Sequence, residues 1–319
     1  LEKLNDETQM IPIAGLYELS GLDHEETELF SAAWPGIPTS QRRKVCSHLI
    51  DIAEANFEAD FDAVFRVCFT DEDELVRVHA IEGLWESEDI GLIRPLLKFL
   101  RDDPSVAVRA AAATSLGRFV LLGELEKLTP TLKNAISEAL WEVIYLDEED
   151  VEVRRRAIES IAYSGEEAVA EVIADAYTSD DERMRVSAMF AMGRSADLRW
   201  KNTVLQELTN PNPGMRYEAA RASGELELRE AVSSLRGLVG DNDREVQEVA
   251  LWALGQIGGA EARRILEACY EEADEILCEV IEDAFGELAL RDGEVDFLLY
   301  ALDEDEWNDV DNWRYIDEQ

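Results

Sequence analysis

Asp243-Arg-Glu-Val-Gln-Glu-Val-Ala-Leu-Trp-Ala-Leu-Gly255 decides the fold of this chain. It opens on Asp, a preferred helix N-cap, because the carboxylate accepts from backbone N–H groups that the first turn leaves without partners. Val246, Ala250 and Leu254 then follow four residues apart, so one face of the helix is apolar. Working outward with residue 247 as position zero, the same register recurs at Arg77, Arg109, Arg154, Arg185, Arg216 and Cys278. Successive separations are 32, 45, 31, 31, 31 and 31 residues by subtraction of these numbers. A nearly fixed period of this size means stacked supersecondary units that contact only their neighbours, in place of a closed globule.

Each register position has its own chemistry. Three residues after the reference stand Ala80, Ala112, Ala157, Ala188, Ala219, Ala250 and Ile281, where neighbouring helices are expected to approach closely. Seven after it stand Leu84, Leu116, Ile161, Met192, Ser223, Leu254 and Phe285, which continue the apolar stripe. Four before it stand Asp73, Ser105, Asp150, Asp181, Asn212, Asp243 and Asp274, all preferred N-caps. Pro213 occupies the first helical position after Asn212, where a missing N–H costs nothing. Gly117, Gly193, Gly224, Gly255 and Gly286 fall eight residues after the reference and are expected to permit tight helix contact. A second apolar stretch precedes each capped helix, as at residues 168–177 and 231–238, so the unit is a helix pair and the fold class is all-α, an α-solenoid.

The register Asp-x-x-Val-Arg-x-x-Ala-x-x-x-Leu-Gly resembles the short HEAT-like repeat of the phycobilisome-lyase type over about residues 57–290. The resemblance implies a superhelical stack of helix pairs serving as a scaffold, an adaptor or, in a few cases, an enzyme. Residues 1–56 are expected to form N-terminal capping helices with a degenerate repeat, in which Ser40–Ala55 is an inner helix with Arg43 at the reference position. Residues 57–290 form the array, and the 45-residue step marks an insertion near 118–129, read either as a lengthened helix pair or as a protrusion toward a partner. A long helix is expected from Thr131 to Tyr145. Residues 291–319 form a C-terminal cap and an acidic tail carrying Trp307, Trp313 and Tyr315, either solvated or docked onto a basic groove.

Charge limits the partners. The chain has 71 acidic and 30 basic residues, a net charge of −41. A polyanion is bound through clustered Lys and Arg, and here they are scattered among carboxylates, so nucleic acid is not an expected ligand. A basic protein or peptide is. Two other readings fit the acidity: a protein that mimics nucleic acid, and a source living in high salt, with which a ratio of 6 Lys to 24 Arg agrees. With 46% hydrophobic residues the chain can bury a continuous apolar face. No apolar run approaches membrane-spanning length and no signal peptide opens the chain, so a cytoplasmic location without membrane contact is expected.

Catalytic constellations are not visible. Cys46, Cys68, Cys269 and Cys278 form no CxxC pair and are expected to be reduced core residues. His24, His48 and His79 lie apart, so neither a metal site nor a cofactor is expected. Hydroxylases built on HEAT-like repeats use several His-Glu pairs, and this chain offers one, His24-Glu25. Phosphate loops and nucleophile motifs are missing from the sequence. The expected function is therefore a non-enzymatic scaffold. The alternative is a subunit of a chromophore lyase-type enzyme, to which the resemblance extends only through the repeat.

Positions that vary between repeats leave room for recognition. In HEAT-like arrays the second helix of each pair lines the concave face, and positions one and five share a surface stripe on it. Along the array these read Val78/Glu82, Ala110/Thr114, Arg155/Glu159, Val186/Phe190, Tyr217/Arg221, Glu248/Trp252 and Glu279/Asp283. The middle of the row is aromatic and the ends are acidic. Arg155, Phe190, Tyr217, Arg221 and Trp252 are accordingly the candidate partner-binding residues, being of the types that dominate interface energetics. The competing reading is that Phe190 and Trp252 pack between helices.

Overall fold

A computed structural model describes residues 13–56 and 58–291; the tail aromatics Trp307, Trp313 and Tyr315 lie outside them. The described residues are helical, with no strand among them. In chain order the helices are α1 (Ile13–Leu16), α2 (His24–Ala33), α3 (Thr39–Ala55), α4 (Asp62–Cys68), α5 (Glu74–Glu82), α6 (Ile93–Asp102), α7 (Val106–Glu124), α8 (Pro130–Ile144) and α9 (Val151–Ile161). They continue as α10 (Glu167–Tyr177), α11 (Glu182–Arg194), α12 (Lys201–Glu207), α13 (Pro213–Glu225), α14 (Val232–Leu238), α15 (Arg244–Ile257), α16 (Gly259–Tyr270) and α17 (Glu275–Arg291).

By internal contact the chain divides into two compact units, Leu1–Ala176 and Tyr177–Gln319. In the first, the inner helices α3, α5, α7 and α9 pack each on the next, and α4, α6 and α8 pair with the inner helix that follows them. In the second, α11, α13, α15 and α17 stack in the same way, with α12, α14 and α16 as their outer partners. This is the α-solenoid arrangement, and the core of each unit runs along the seam between inner helices.

The register explains the seam. Ala80, Ala112, Ala157, Ala188, Ala219, Ala250 and Ile281 are all fully buried. Helix starts follow the caps: Asp73, Asp150, Asp181, Asn212, Asp243 and Asp274 each accept from a first-turn N–H. Ser105 is the exception, because its side chain makes no cap bond; its own N–H instead donates to Asp103, 2.9 Å away. The glycines sit where a Cβ would strike the next inner helix: 2.9 Å from Ala222 Cα at Gly193, 3.1 Å from Ala253 Cα at Gly224 and 2.9 Å from Ala284 Cα at Gly255. At Gly286, on the last described inner helix, a Cβ would meet nothing within 4 Å.

Three of the reference arginines, Arg77, Arg109 and Arg216, bind one repeat to the next. Arg216 donates from Nε and Nη2 to the Asp241 carboxylate at 2.8 and 2.7 Å, and from Nη1 to the carbonyls of Asn210 and Pro211 at 2.8 and 3.1 Å. Arg77 does the same with Asp103 and the carbonyls of Asp71 and Glu72. Arg109 takes Glu149 and the Asp103 carbonyl. One side chain thus fastens its own turn and the turn of the following repeat. In the degenerate first repeat this role belongs to Arg42, only 3% exposed and paired with Asp71 and Glu72, and not to the expected Arg43, which is 44% exposed and pairs with the α5 cap Asp73.

The 45-residue step is accommodated within helices. α7 runs unbroken through residues 118–124, only five residues connect it to α8, and α8 spans 15 residues. At 19 residues and mean hydropathy 1.4, α7 is long and apolar enough to cross a membrane by length and composition, which the sequence reading did not expect. It is enclosed by α5, α6, α8 and α9, and that packing accounts for its apolarity.

Candidate functional site

The stripe at positions one and five continues one turn further, at position nine, and it is this third row that organises the inner-helix surface of the second unit. On α11 the stripe reads Val186, Phe190 and Arg194; on α13 it reads Tyr217, Arg221 and Glu225; on α15 it reads Glu248, Trp252 and Gln256. Phe190, Tyr217 and Trp252 are all half-buried, so each is partly packed and partly accessible.

The structure brings Phe190 and Arg221 together. The Arg221 guanidinium lies 4.4 Å from the Phe190 ring centre and that of Arg194 lies 5.3 Å from it, both within cation–π range. Glu225 joins the two cations: Oε1 is 3.2 Å from Arg194 Nη1 and 3.1 Å from Arg221 Nε. Gly193 leaves the space that the Glu225 carboxylate occupies. Burial pushes the Glu225 carboxyl up to about 7 against the opposing pull of Arg194. Trp252 lies against the backbone at Gly224, where a Cβ would come within 2.7 Å of its ring. Tyr217 is one turn before Arg221, and its phenol is pushed up by burial first and then by Glu218, Glu245, Glu248 and Glu225 around it. An aromatic surface ringed by carboxylates is suited to an ammonium or guanidinium group.

Arg155 belongs to the first unit. It is held on α9 by Glu152 at 2.7 Å and by Glu159 at 3.4 Å. Arg194 and Glu225 escaped the sequence reading, although extending the i, i+4 stripe by one more turn would have reached both.

Among the described residues no group of three His, Cys, Asp or Glu could hold a metal ion. His24 is exposed beside Glu28 and His48 sits near Asp51. Cys46 and Cys68 are buried with their sulfurs 3.7 Å apart, whereas Cys269 and Cys278 are half-buried and outside the core proper, contrary to expectation. The Cys46 thiol and burial together push the Cys68 thiol up, which keeps it protonated and unreactive.

Comparison with known proteins agrees with this architecture. A search of curated protein sequences returns no match. Among solved structures, Escherichia coli YibA is similar at 17% identity, with 89% of this chain and 98% of YibA covered and a TM-score of 0.45. Human deoxyhypusine hydroxylase, solved with glycerol, is similar at 18% identity over 83% of this chain and 96% of that one, with a TM-score of 0.37. Kap95p, whose binding switches RanGDP loops to the GTP-bound conformation, is similar at 13% identity over 90% of this chain and 50% of its own, with a TM-score of 0.36. The family model for HEAT repeats matches residues 62–145 and 202–286, more than half of the chain. With the helix pairs, the alanine seam and the arginine clamps already described, this chain belongs to the HEAT-repeat family.

Proposed function

We propose that the protein is a non-enzymatic scaffold that binds a basic protein or peptide on the inner-helix face of its second unit. One observation carries the reading: three half-buried aromatic side chains on consecutive inner helices, with the Tyr217 phenol set among Glu218, Glu225, Glu245 and Glu248. Phe190 and Trp252 supply apolar contact, the carboxylates supply complementary charge, and Arg221 holds the Phe190 ring in place. The net charge of −41 favours a cationic partner over nucleic acid.

A photo-crosslinking residue at position 217 tests it. The cross-linked species recovered from native lysate is identified, purified and titrated against the unmodified protein. A basic protein whose affinity falls in Trp252→Ala supports the proposal. Recovery of nucleic acid or of acidic proteins, or an affinity indifferent to Trp252, overturns it.

A further inference from the structure

The first unit contains a cleft of ≈ 510 Å³ between the end of α3, the start of α4 and the turn after α5. Its lining combines aromatic and acidic side chains. Trp85 lines it and is 58% exposed, one of the most accessible large apolar side chains among the described residues. Beneath, the buried rings of Phe61 and Phe65 meet edge to face at 6.5 Å, and the Phe65 ring rests on Gly83, where any Cβ would collide with it. The floor is therefore apolar and fixed.

The walls are acidic. Glu54, Asp60, Asp62 and Glu86 line the cleft, and no Lys or Arg does. Asp60 accepts from the Asp62 N–H at 2.9 Å and Asp62 accepts from the Ser87 hydroxyl at 3.0 Å, which fixes both carboxylates in orientation. Arg118 donates to the carbonyls of Leu84 and Trp85 from outside the lining and so fastens the turn that presents the indole. Arg118 is close enough to Asp62 to offset part of its charge, whereas Glu54 and Glu86 form no ion pair among the described residues. An exposed indole over an apolar floor beside these two carboxylates has the two properties a desolvating cation needs, a π face and opposite charge.

We propose that this cleft is a binding site for a single cationic side chain, the arginine or lysine of a basic peptide, stacked on Trp85 between Glu54 and Glu86. The inference rests on the lining of this cleft alone and is independent of the inner-helix face of the second unit.

N-acetyl-arginine N-methylamide and its neutral isostere N-acetyl-citrulline N-methylamide are titrated into the full chain, following the Trp85 indole N–H by NMR with Trp85→Phe as the assignment control. The expected result is a saturable Trp85 shift with the arginine probe and at least tenfold weaker binding of citrulline. The Glu54→Gln/Glu86→Gln double variant weakens the arginine probe severalfold, and Trp85→Ala, read by titration calorimetry because it lacks the indole reporter, removes the binding while thermal unfolding is unchanged. Equal binding of the two probes, no saturable shift at Trp85, or arginine binding that persists in Trp85→Ala overturns the proposal. None of these variants touches Tyr217 or Trp252, so failure here and failure of the inner-face reading are separate results.

Discussion

Arg216 and Asp241 stand 25 residues apart in sequence and meet through two parallel hydrogen bonds of 2.8 and 2.7 Å, with the side chains 16% and 9% exposed. The pair holds the Asp241 carboxyl below its usual range, chiefly through the hydrogen bond from Arg216. Removing the guanidinium strands a largely covered carboxylate and two backbone carbonyls at once. Arg216→Ala is expected to cost about 1–3 kcal/mol in urea unfolding. Arg216→Lys restores little, since an ammonium cannot reproduce the fork. Wild-type stability in the alanine variant would show that the clamp is dispensable.

Glycine replacements separate a packed seam from an open one. Gly255→Ala drives a methyl to 2.9 Å from Ala284 backbone atoms and is expected to lower stability by about 1–3 kcal/mol. Gly286→Ala meets nothing and gains helix propensity of up to about 1 kcal/mol. Denaturant midpoints that move in the same direction in both variants would contradict the seam geometry.

Much of this fold was legible because it is periodic. Alanines, caps and reference positions repeat every 31 or 32 residues with a single 45-residue step, and one register extends through every inner helix from α5 onward. What periodicity could not supply is which side chain reaches across. Three of the acids that receive the arginines, Asp71, Asp103 and Asp241, sit in turns two residues before a cap and bind partners 25 to 29 residues away, and Glu149, one residue before a cap, receives Arg109 from 40 residues away. Arg42 and Arg43 are neighbours in sequence, and only the rotation of α3 against α5 decides which one is buried. The site was half visible: Phe190 and Arg221 were found, while the Arg194–Glu225 bridge between them required the helix spacing itself. The cleft at Trp85 lies where the end of α3 meets the α4–α5 pair, and none of its lining residues is among those from which the register was read.

Stability should carry a pH signature from Glu225. A carboxyl raised from 4.5 to about 7 binds its proton more tightly in the folded than in the unfolded chain. Its contribution is therefore complete below about pH 4.5 and is lost as the pH rises through about 7. Glu225→Gln lacks this proton, so the stability of wild type relative to the variant is expected to fall by on the order of 2 kcal/mol between those limits. Urea unfolding of both proteins across this range measures it, and parallel profiles would show that Glu225 titrates normally.

Binding at the inner face should be sensitive both to truncation and to salt. Tyr217→Ala and Trp252→Ala are each expected to weaken the partner more than about tenfold with the fold intact, and alanine at an exposed acid of α17 such as Glu279 much less. Affinity should also fall between low and physiological salt, because exposed charges are screened over about 10 Å at 0.1 M. Titration calorimetry on the identified partner reads both. Unchanged affinity in both variants, or unfolding of either, would make these rings packing residues.

The arginine clamps are unevenly distributed. In the second unit Arg185 bonds only to the carbonyls of Ser179 and Asp180, the residue 25 positions on being the uncharged Asn210, and Gln247 keeps one bond, to the Asp241 carbonyl. The junction of α13 with α15 is thus the one in that unit fastened by a reference-position arginine, whereas at the α15–α17 junction Arg244 forks onto the α17 cap Asp274 at 2.9 and 2.6 Å beside the close contact at Gly255. The Arg244–Asp274 fork is exposed, at 38% and 61%, while the Arg216–Asp241 fork is covered, so the outer rivet is the weaker one. Under load or heat α17 is expected to peel first, with α15 still on α13 and the surface bearing Tyr217 and Trp252 outlasting the end of the stack.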